Sequence, residues 1–331
     1  MKNILKVIYN DIISIENLCE AWCEFLREKK HKKDVADFSL NLMKNISALH
    51  EDLKNKTYKH GKYIAFSIND PKPRDIHKAT VRDRLLHHAI YRKVYPFFDT
   101  IFIADSYSCR NNKGTHRAMN RFRDFAYKVS KNHTRTCFVL KCDIRKFFAS
   151  INHYVLLQIL KERIEGEDIV WLLSQIVSSF DSGKVGVGLP LGNLTSQLLV
   201  NIYMNEFDQF IKHKLKVKYY VRYADDFVVL SDSKKYLEDI LESMTQFLEE
   251  KLCLQMHPDK VFIKTFASGV DFLGFVHFPT HRVLRTVTKR RMFRKVNEKN
   301  VTSYLGLLSH GNTKKLEKKL LEYVKEIRYD K

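Results

Sequence analysis

The sequence predicts an α+β fold built on an antiparallel sheet with helices on one face. Three observations carry that expectation. Short β-rich runs and helical stretches at i, i+3, i+4 spacing follow one another from residue 136 to 278 in the order strand, helix, hairpin, helix, strand, a β-α-β-β-α-β layout. With 44% hydrophobic residues but only 11 Gly and 6 Pro in 331 positions, the chain can build real cores and is no low-complexity protein; its length suggests two to three domains. Its charge is lopsided, 58 Lys and Arg against 38 Asp and Glu, a formal net of +20 that favours a polyanionic partner.

Residues 1–57 place Ile12, Ile15, Leu18, Trp22 and Phe25, then Phe38, Leu42, Ile46 and Leu49, at helical spacing, which predicts two or three helices. An extended piece over 63–68 ends at Asn69-Asp70-Pro71-Lys72-Pro73-Arg74, where two prolines forbid helix. A helix over about 79–94 buries Val81, Leu85, Ala89, Ile90 and Val94; His87 and His88 on it read as packing or surface residues. The run 137–140 is a strand that delivers Asp143 at its end, and a helix over 153–163 follows. A glycine-rich turn over 183–192, which fits no dinucleotide or Walker fingerprint, leads into a long amphipathic helix over 195–215. Runs 219–222 and 227–230, joined by Tyr223-Ala224-Asp225-Asp226, read as a hairpin with an acidic tip. A helix over 237–252 and a last strand over 270–278 complete the layout.

Six scattered cysteines are too few for a disulfide framework and read as reduced core thiols. Asp11 and Glu16 interrupt any apolar N-terminal run, and no stretch is long and uncharged enough to span a membrane, so the expectation is a cytoplasmic protein. Residues 280–331 hold 15 Lys and Arg against five Asp and Glu, half the chain's excess charge in about one sixth of its length.

Adjacent Asp225 and Asp226 at a tight turn between apolar runs repel each other and are poorly solvated. A divalent cation is the simplest remedy, with Asp143 on the neighbouring strand as third carboxylate; oxygen-only ligation suits Mg²⁺. Two such ions can activate a hydroxyl and stabilise a leaving pyrophosphate. The plain alternative is a surface turn with two solvated acids, against which the flanking apolar runs argue.

Tyr223-Ala224-Asp225-Asp226 resembles the YxDD box of reverse transcriptases. Leu140 to Ile151 resembles the first palm motif of that family, and Gly188-Leu-Pro-Leu-Gly192-Asn-Leu-Thr-Ser196-Gln197 its glycine motif before the long palm helix. Ser106 to Ala118 resembles the fingers segment of group II intron-like bacterial enzymes, and Pro71 to Arg74 with Arg82-Asp83-Arg84 the fingers motifs before it. Leu254 to Lys260 and Val270 to Phe275 resemble the lysine-bearing motif and the primer grip. The resemblance covers about residues 60–280 and implies a right-hand polymerase: an N-terminal helical extension (1–59), fingers (60–135), a ferredoxin-like palm (136–279) and a short basic helical thumb (280–331).

The resemblance also implies roles. Asp143 and Asp225 would hold two Mg²⁺ ions, for which Mn²⁺ can substitute, with Asp226 nearby and the Ile144 carbonyl as a further ligand. Lys72 and Arg74 would meet the incoming triphosphate, and Leu191, Gly192 and Gln197 would line the nucleotide site. Phe148 would exclude a 2′-hydroxyl, a core aromatic being its alternative. Lys260 would act on the leaving pyrophosphate unless it is a solvated lysine, and Tyr223 would lie under the primer terminus unless it packs the hairpin. Arg110, Lys113, Gly274, Arg290 and Arg291 would hold primer and template. The implied partners are an RNA template and RNA/DNA duplex, dNTPs, a structured non-coding or template RNA and a basic accessory protein, with no membrane.

Leu191 before the glycine, and Ser196-Gln197 where most of the family has Ser-Pro, resemble the error-prone reverse transcriptases of diversity-generating retroelements. Bacterial antiphage-defence reverse transcriptases are the alternative. A full group II intron protein is disfavoured because no Cys/His-rich endonuclease region follows residue 331. Two further readings stand beside these: an RNA-binding polymerase-like module, and an RNA-dependent RNA polymerase, disfavoured by Phe148.

Overall fold

The computed structural model describes residues 4–27, 29–69 and 73–329. The chain forms two compact units. The first comprises Met1–Ala104, Ile144–Lys216 and Met244–Met256, and the second Asp105–Asp143, Val217–Ser243 and His257–Lys331.

The first unit is mostly helical. The N-terminal stretch forms four helices, Tyr9–Ile13, Ile15–Phe25, Lys33–Leu40 and Leu42–Lys54, where the periodicity predicts two or three. The helix Val81–Ile101 packs against Ile15–Phe25 on one side and Leu194–Gln209 on another. Thr80 caps it by accepting the Asp83 amide, and it runs past the expected end at 94, through Pro96, to Ile101. A proline in a helix interior costs about 3 kcal/mol; burial of Tyr95, Phe98 and Phe102 around it offsets that cost. His87 is a buried packing residue, its Nε2 3.3 Å from His60 Nε2, in a network centred on Asp83, which accepts from Tyr58 and Thr80. The extended piece becomes β1 (Ile64–Ile68), paired antiparallel with β2 (Arg74–Lys78).

The second unit holds the acidic sheet. Strands β3 (Phe138–Asp143), β4 (Tyr220–Tyr223), β5 (Asp226–Ser231) and β6 (Phe262–Thr265) lie in the order β4-β5-β3-β6, all antiparallel. The fourth strand is therefore 262–265, which corrects the expectation of a single last strand over 270–278. A 3-10 turn at Phe266–Ser268 and Gly269 at φ +83° end β6. Leu273 and Gly274, both at positive φ, then fold the next stretch into a hairpin of β7 (Val270–Phe272) and β8 (Phe275–His277). With β9 (Arg282–Leu284) these make a separate three-stranded sheet.

The helix Thr115–Val129 covers one face of the four-stranded sheet. Its Ala118, Phe122, Phe125 and Val129 pack on Val139, Val221, Val228 and Leu230 from alternate positions of three strands. The basic C-terminal stretch forms three helices, Thr286–Lys295, Val301–Leu308 and Lys314–Tyr329, closing a second core around Met292, Leu308 and Leu320. Of the cysteines only Cys137 and Cys142 are core thiols; Cys23, Cys109 and Cys253 are exposed and Cys19 is half-buried, which corrects the reading of all six as buried. Among the described residues no helix is long and apolar enough to cross a membrane.

Candidate active site

The carboxylates meet because the strand register puts them together. Asp143 ends β3 directly opposite Asp226, the first residue of β5, and Tyr223 faces Asp226 from the other side. Opposed like charges in an antiparallel pair are destabilising, and two lysines answer them. Lys260 Nζ lies 2.7 Å from Asp143 Oδ1, and Lys141, two residues before Asp143 on the same face, lies 3.4 Å from Asp226 Oδ2. Lys260 is carried there by the 3-10 turn Pro258–Lys260, which the His257 amide fastens to the Asp143 carbonyl at 2.7 Å.

Burial pushes the Asp226 carboxyl up to about 7; Lys141 opposes the rise, and the neighbouring charges of Asp143 and Asp225 add to it. Its Oδ1 is buried with no hydrogen-bond partner. A buried, orphaned carboxylate oxygen on a residue paired in register with a second aspartate is a donor set that a hard cation fits. Among the described residues no three His, Cys, Asp or Glu side chains are already gathered into a cage for a metal ion, the lysines supplying positive charge instead.

Asp225 sits at the tip of a two-residue turn whose first central residue, Ala224, has φ +56°, a left-handed conformation that costs a non-glycine residue about 1–2 kcal/mol. The turn is tied from within. Arg222, fully buried, donates to the Ala224 carbonyl at 3.1 Å and to Ser106 Oγ at 3.0 Å. The segment carrying Ser106 is itself held to β4, since the Arg222 amide donates to the Asp105 carbonyl and the Tyr107 amide to the Arg222 carbonyl. Thr115 Oγ1 donates to the Tyr223 hydroxyl at 3.1 Å, and Tyr223 packs on the core below the helix Thr115–Val129. Arg110 Nη1 donates to the Ser106 carbonyl and Lys113 lies over the Tyr107 ring, so both of these expected template residues are placed beside the hairpin.

Gly274 forms the β7–β8 turn, while Arg290 is exposed and Arg291 half-buried on the helix Thr286–Lys295. Lys141, Arg222 and Thr115 join the site without a role expected from the sequence. The signal for Lys141 is a lysine inside a buried strand two positions before an acid, and for Arg222 an arginine in an otherwise apolar strand.

The first unit carries the other expected residues. Phe148 is half-buried on the 3-10 turn Phe147–Ser150, its ring edge-on to Phe147 at 5.6 Å, with its carbonyl accepting the Leu189 amide. The Leu191 carbonyl accepts the His77 amide, and Asn193 Nδ2 donates to the His77 carbonyl, which lays the glycine motif along β2. Gly192 has φ +101°, and a Cβ there would stand 2.9 Å from Ile76 Cγ2, so only glycine allows that approach. Gln197 is half-buried in the first turn of Leu194–Gln209, Arg74 is exposed at the start of β2, and Ile144 is buried in an isolated bridge to Met256. Lys72 lies outside the described residues.

These features can be set beside known proteins. The model of the family described as reverse transcriptase (RNA-dependent DNA polymerase) matches residues 59–277. Protein YkfC of Escherichia coli (strain K12) is 27% identical over 263 residues, covering 67% of this chain and 66% of that protein. The group II intron-encoded protein LtrA of Lactococcus lactis subsp. cremoris is 23% identical over 347 residues, covering 83% of this chain and 55% of that protein. The chain thus spans just under two thirds of the first of these relatives and about half of the second. Apo telomerase from Candida tropicalis, truncated from its C-terminal domain, shares the fold at TM-score 0.50 and 12% identity, over 71% of this chain and 59% of that one. With the matched stretch running from before β1, through the carboxylate sheet, to the end of β8, the chain belongs to the reverse transcriptase (RNA-dependent DNA polymerase) family.

Proposed function

We propose that this protein is an RNA-directed DNA polymerase whose chemistry is centred on Asp143, Asp225 and Asp226. The observation that carries this reading is the register of β3 against β5, which sets Asp143 opposite Asp226, each with a lysine beside it, and leaves Asp226 Oδ1 buried and unpartnered. Asp143 and Asp225, with the Ile144 carbonyl, are the residues we assign to two Mg²⁺ ions, Asp226 supporting them. Bound there, such ions supply Lewis acidity to the primer 3′-hydroxyl and to the leaving pyrophosphate.

The chain's own groups do the rest. We assign Lys260, 2.7 Å from Asp143, to neutralising or protonating the pyrophosphate as it leaves. Tyr223, braced by Thr115, supports the primer terminus. Arg74 meets the triphosphate, with Lys72 two residues before it in sequence, and Phe148 blocks a 2′-hydroxyl. Arg110, Lys113, Gly274, Arg290 and Arg291 hold the duplex, together with the basic residues after 280, by phosphate charge and A-form shape.

In domain terms we assign residues 1–59 to an N-terminal extension, 60–135 to fingers, 136–279 to the palm and 280–331 to the thumb. We further assign the enzyme to error-prone copying of a structured template RNA, as in a diversity-generating retroelement. Leu191 offers the nucleotide site an aliphatic side chain that makes no hydrogen bond and so loosens selection of the base pair.

The test is extension of a DNA primer annealed to RNA, with dNTPs and Mg²⁺. Full-length product with dNTPs and little with rNTPs supports the reading; a folded protein that extends nothing with Mg²⁺ or Mn²⁺ overturns it. For fidelity, sequencing the products of wild type and Leu191→Gln should show fewer errors opposite adenine in the variant, and equal error rates would remove Leu191 from the explanation.

A further inference from the structure

A pocket lies in the Asp143-bearing unit, at the end of its sheet opposite the carboxylates. It encloses about 430 Å³ and is lined by Asn120, Arg123, Asp124, Tyr127, His133 and Phe266. The Phe266 amide bonds the Cys137 carbonyl at the start of β3. Six residues of strand at about 3.3 Å each then put roughly 20 Å between this pocket and Asp143.

Three features set it apart from an ordinary surface hollow. Asn120, Arg123, Asp124 and Tyr127 are at i, i+3, i+4 and i+7 of Thr115–Val129, so one helix face presents an amide, a guanidinium, a carboxylate and an aromatic ring. No hydrogen bond or ion pair among the described residues engages the half-buried Arg123, and its charge, with that of Arg282, acts on the buried His277 nearby. Next, Lys131, Asn132 and His133 all have left-handed φ, +47°, +61° and +62°. Residues other than glycine visit that region singly, at about 1–2 kcal/mol each, so three in a row is a strained turn that its surroundings hold in place.

What holds it is visible. The Asn132 amide donates to the Tyr127 carbonyl at 3.0 Å, and the His133 amide to Ser130 Oγ at 3.0 Å. Ser130 Oγ also engages His133 Nδ1 at 3.2 Å, which leaves Nε2 for another partner. The strained turn thereby sets the His133 ring edge-on to Tyr127, whose side chain is 49% exposed, and parallel to Phe266.

We propose that this pocket binds one nucleoside phosphate unit: Arg123 on the phosphate, Tyr127 and His133 against the base, and Asp124 and Asn120 on its amino and ring N–H edge. A guanidinium suits phosphate, aromatic rings give sequence-tolerant stacking, and a carboxylate accepts from amino groups of guanine, adenine or cytosine but finds no such group on uracil. The unit comes either from a free nucleotide or from a single-stranded stretch of RNA, since both present the same chemistry.

Calorimetric titrations distinguish the two sources. The full chain, its duplex cleft filled with saturating RNA/DNA hybrid, is titrated with GMP and separately with a single-stranded 12-nucleotide purine RNA. Arg123→Gln and Tyr127→Ala remove the pocket's charge and ring, and Lys128→Gln removes an equal charge from the same helix outside it. We expect at least one probe to bind about tenfold more weakly to each pocket variant, with Lys128→Gln within about twofold of wild type. Loss for GMP identifies a nucleotide site, and loss for the RNA alone identifies a strand site. Equal affinities of wild type and the pocket variants for both probes, or an equal loss in Lys128→Gln, overturns the proposal. The variants' primer extension on pre-annealed template should stay at the wild-type rate, so failure here is distinct from failure of the polymerase reading.

Discussion

Replacing Arg222 with methionine keeps the reach of the side chain and removes its donors. The guanidinium is fully buried and ties the Ala224 carbonyl, one residue before Asp225, to Ser106. A hydrogen bond from a charged donor is worth about 1.5–3 kcal/mol, and a buried acceptor left unmatched costs about 1–3 kcal/mol. Ser106 can turn its hydroxyl elsewhere, but the Ala224 carbonyl cannot, so we expect Arg222→Met to lose about 3 kcal/mol of stability in urea titrations. The left-handed residue at 224 then has about 1–2 kcal/mol to gain by relaxing. A displacement of about 1 Å at a reacting group costs on the order of 100-fold in rate. Single-turnover primer extension should therefore show kcat down about 100-fold with the dNTP KM within about threefold. Arg222→Lys, which keeps the charge and one bond, should fall between, and Ser106→Ala should stay within about threefold of wild type because the tie to the turn survives. A folded Arg222→Met enzyme with wild-type kcat would refute the reasoning, as would a Ser106→Ala defect equal to it.

Other outcomes follow from the same geometry. Burial raises the Asp226 carboxyl from about 4 in the unfolded chain to about 7 in the folded one. Its contribution therefore turns unfavourable as pH rises from 4 to 7 and stays so above. In chelator, Asp226→Asn should be more stable than wild type at pH 8, by up to about 4 kcal/mol, and nearly equal at pH 4, with activity lost; an equal gain at both values would exclude the titration. Lys260→Met should lower kcat about tenfold or more and alter its pH profile, with primer–template binding unchanged; an unchanged profile would make Lys260 a bystander. Phe148→Val should raise rNTP use about tenfold relative to dNTP, and unchanged selectivity would return Phe148 to the core. Gly192→Ala, forced against Ile76 at positive φ, should cost about 1–3 kcal/mol and raise the dNTP KM; a neutral effect would mean β2 yields freely.

The sheet and its acids are legible in the sequence because short β-rich runs end abruptly in Asp143 and flank Asp225-Asp226. The cations are harder to see. Lys141 lies inside a strand and Arg222 in a strand buried on both faces, so neither stands out as a charged surface residue. The helix Thr115–Val129 carries the spacing Ala118, Phe122, Phe125, Val129, but its many basic residues mask it. β6 is missed because Phe262-Ile263 is a short run after Lys260, and only the register against Phe138–Lys141 shows that it, rather than Val270–Phe272, completes the sheet. The strained turn at 131–133 has no glycine to announce it.

The most direct measurement is the yield of labelled DNA primer extended along an RNA template in dNTPs and Mg²⁺ by wild type, Asp143→Asn and Asp225→Asn, each checked for native unfolding behaviour. The expected result is complete extension by wild type and a loss of at least about 1,000-fold in each folded variant, as for removal of a metal-binding carboxylate. Extension by either variant at the wild-type rate would contradict a carboxylate centre built on the β3–β5 register.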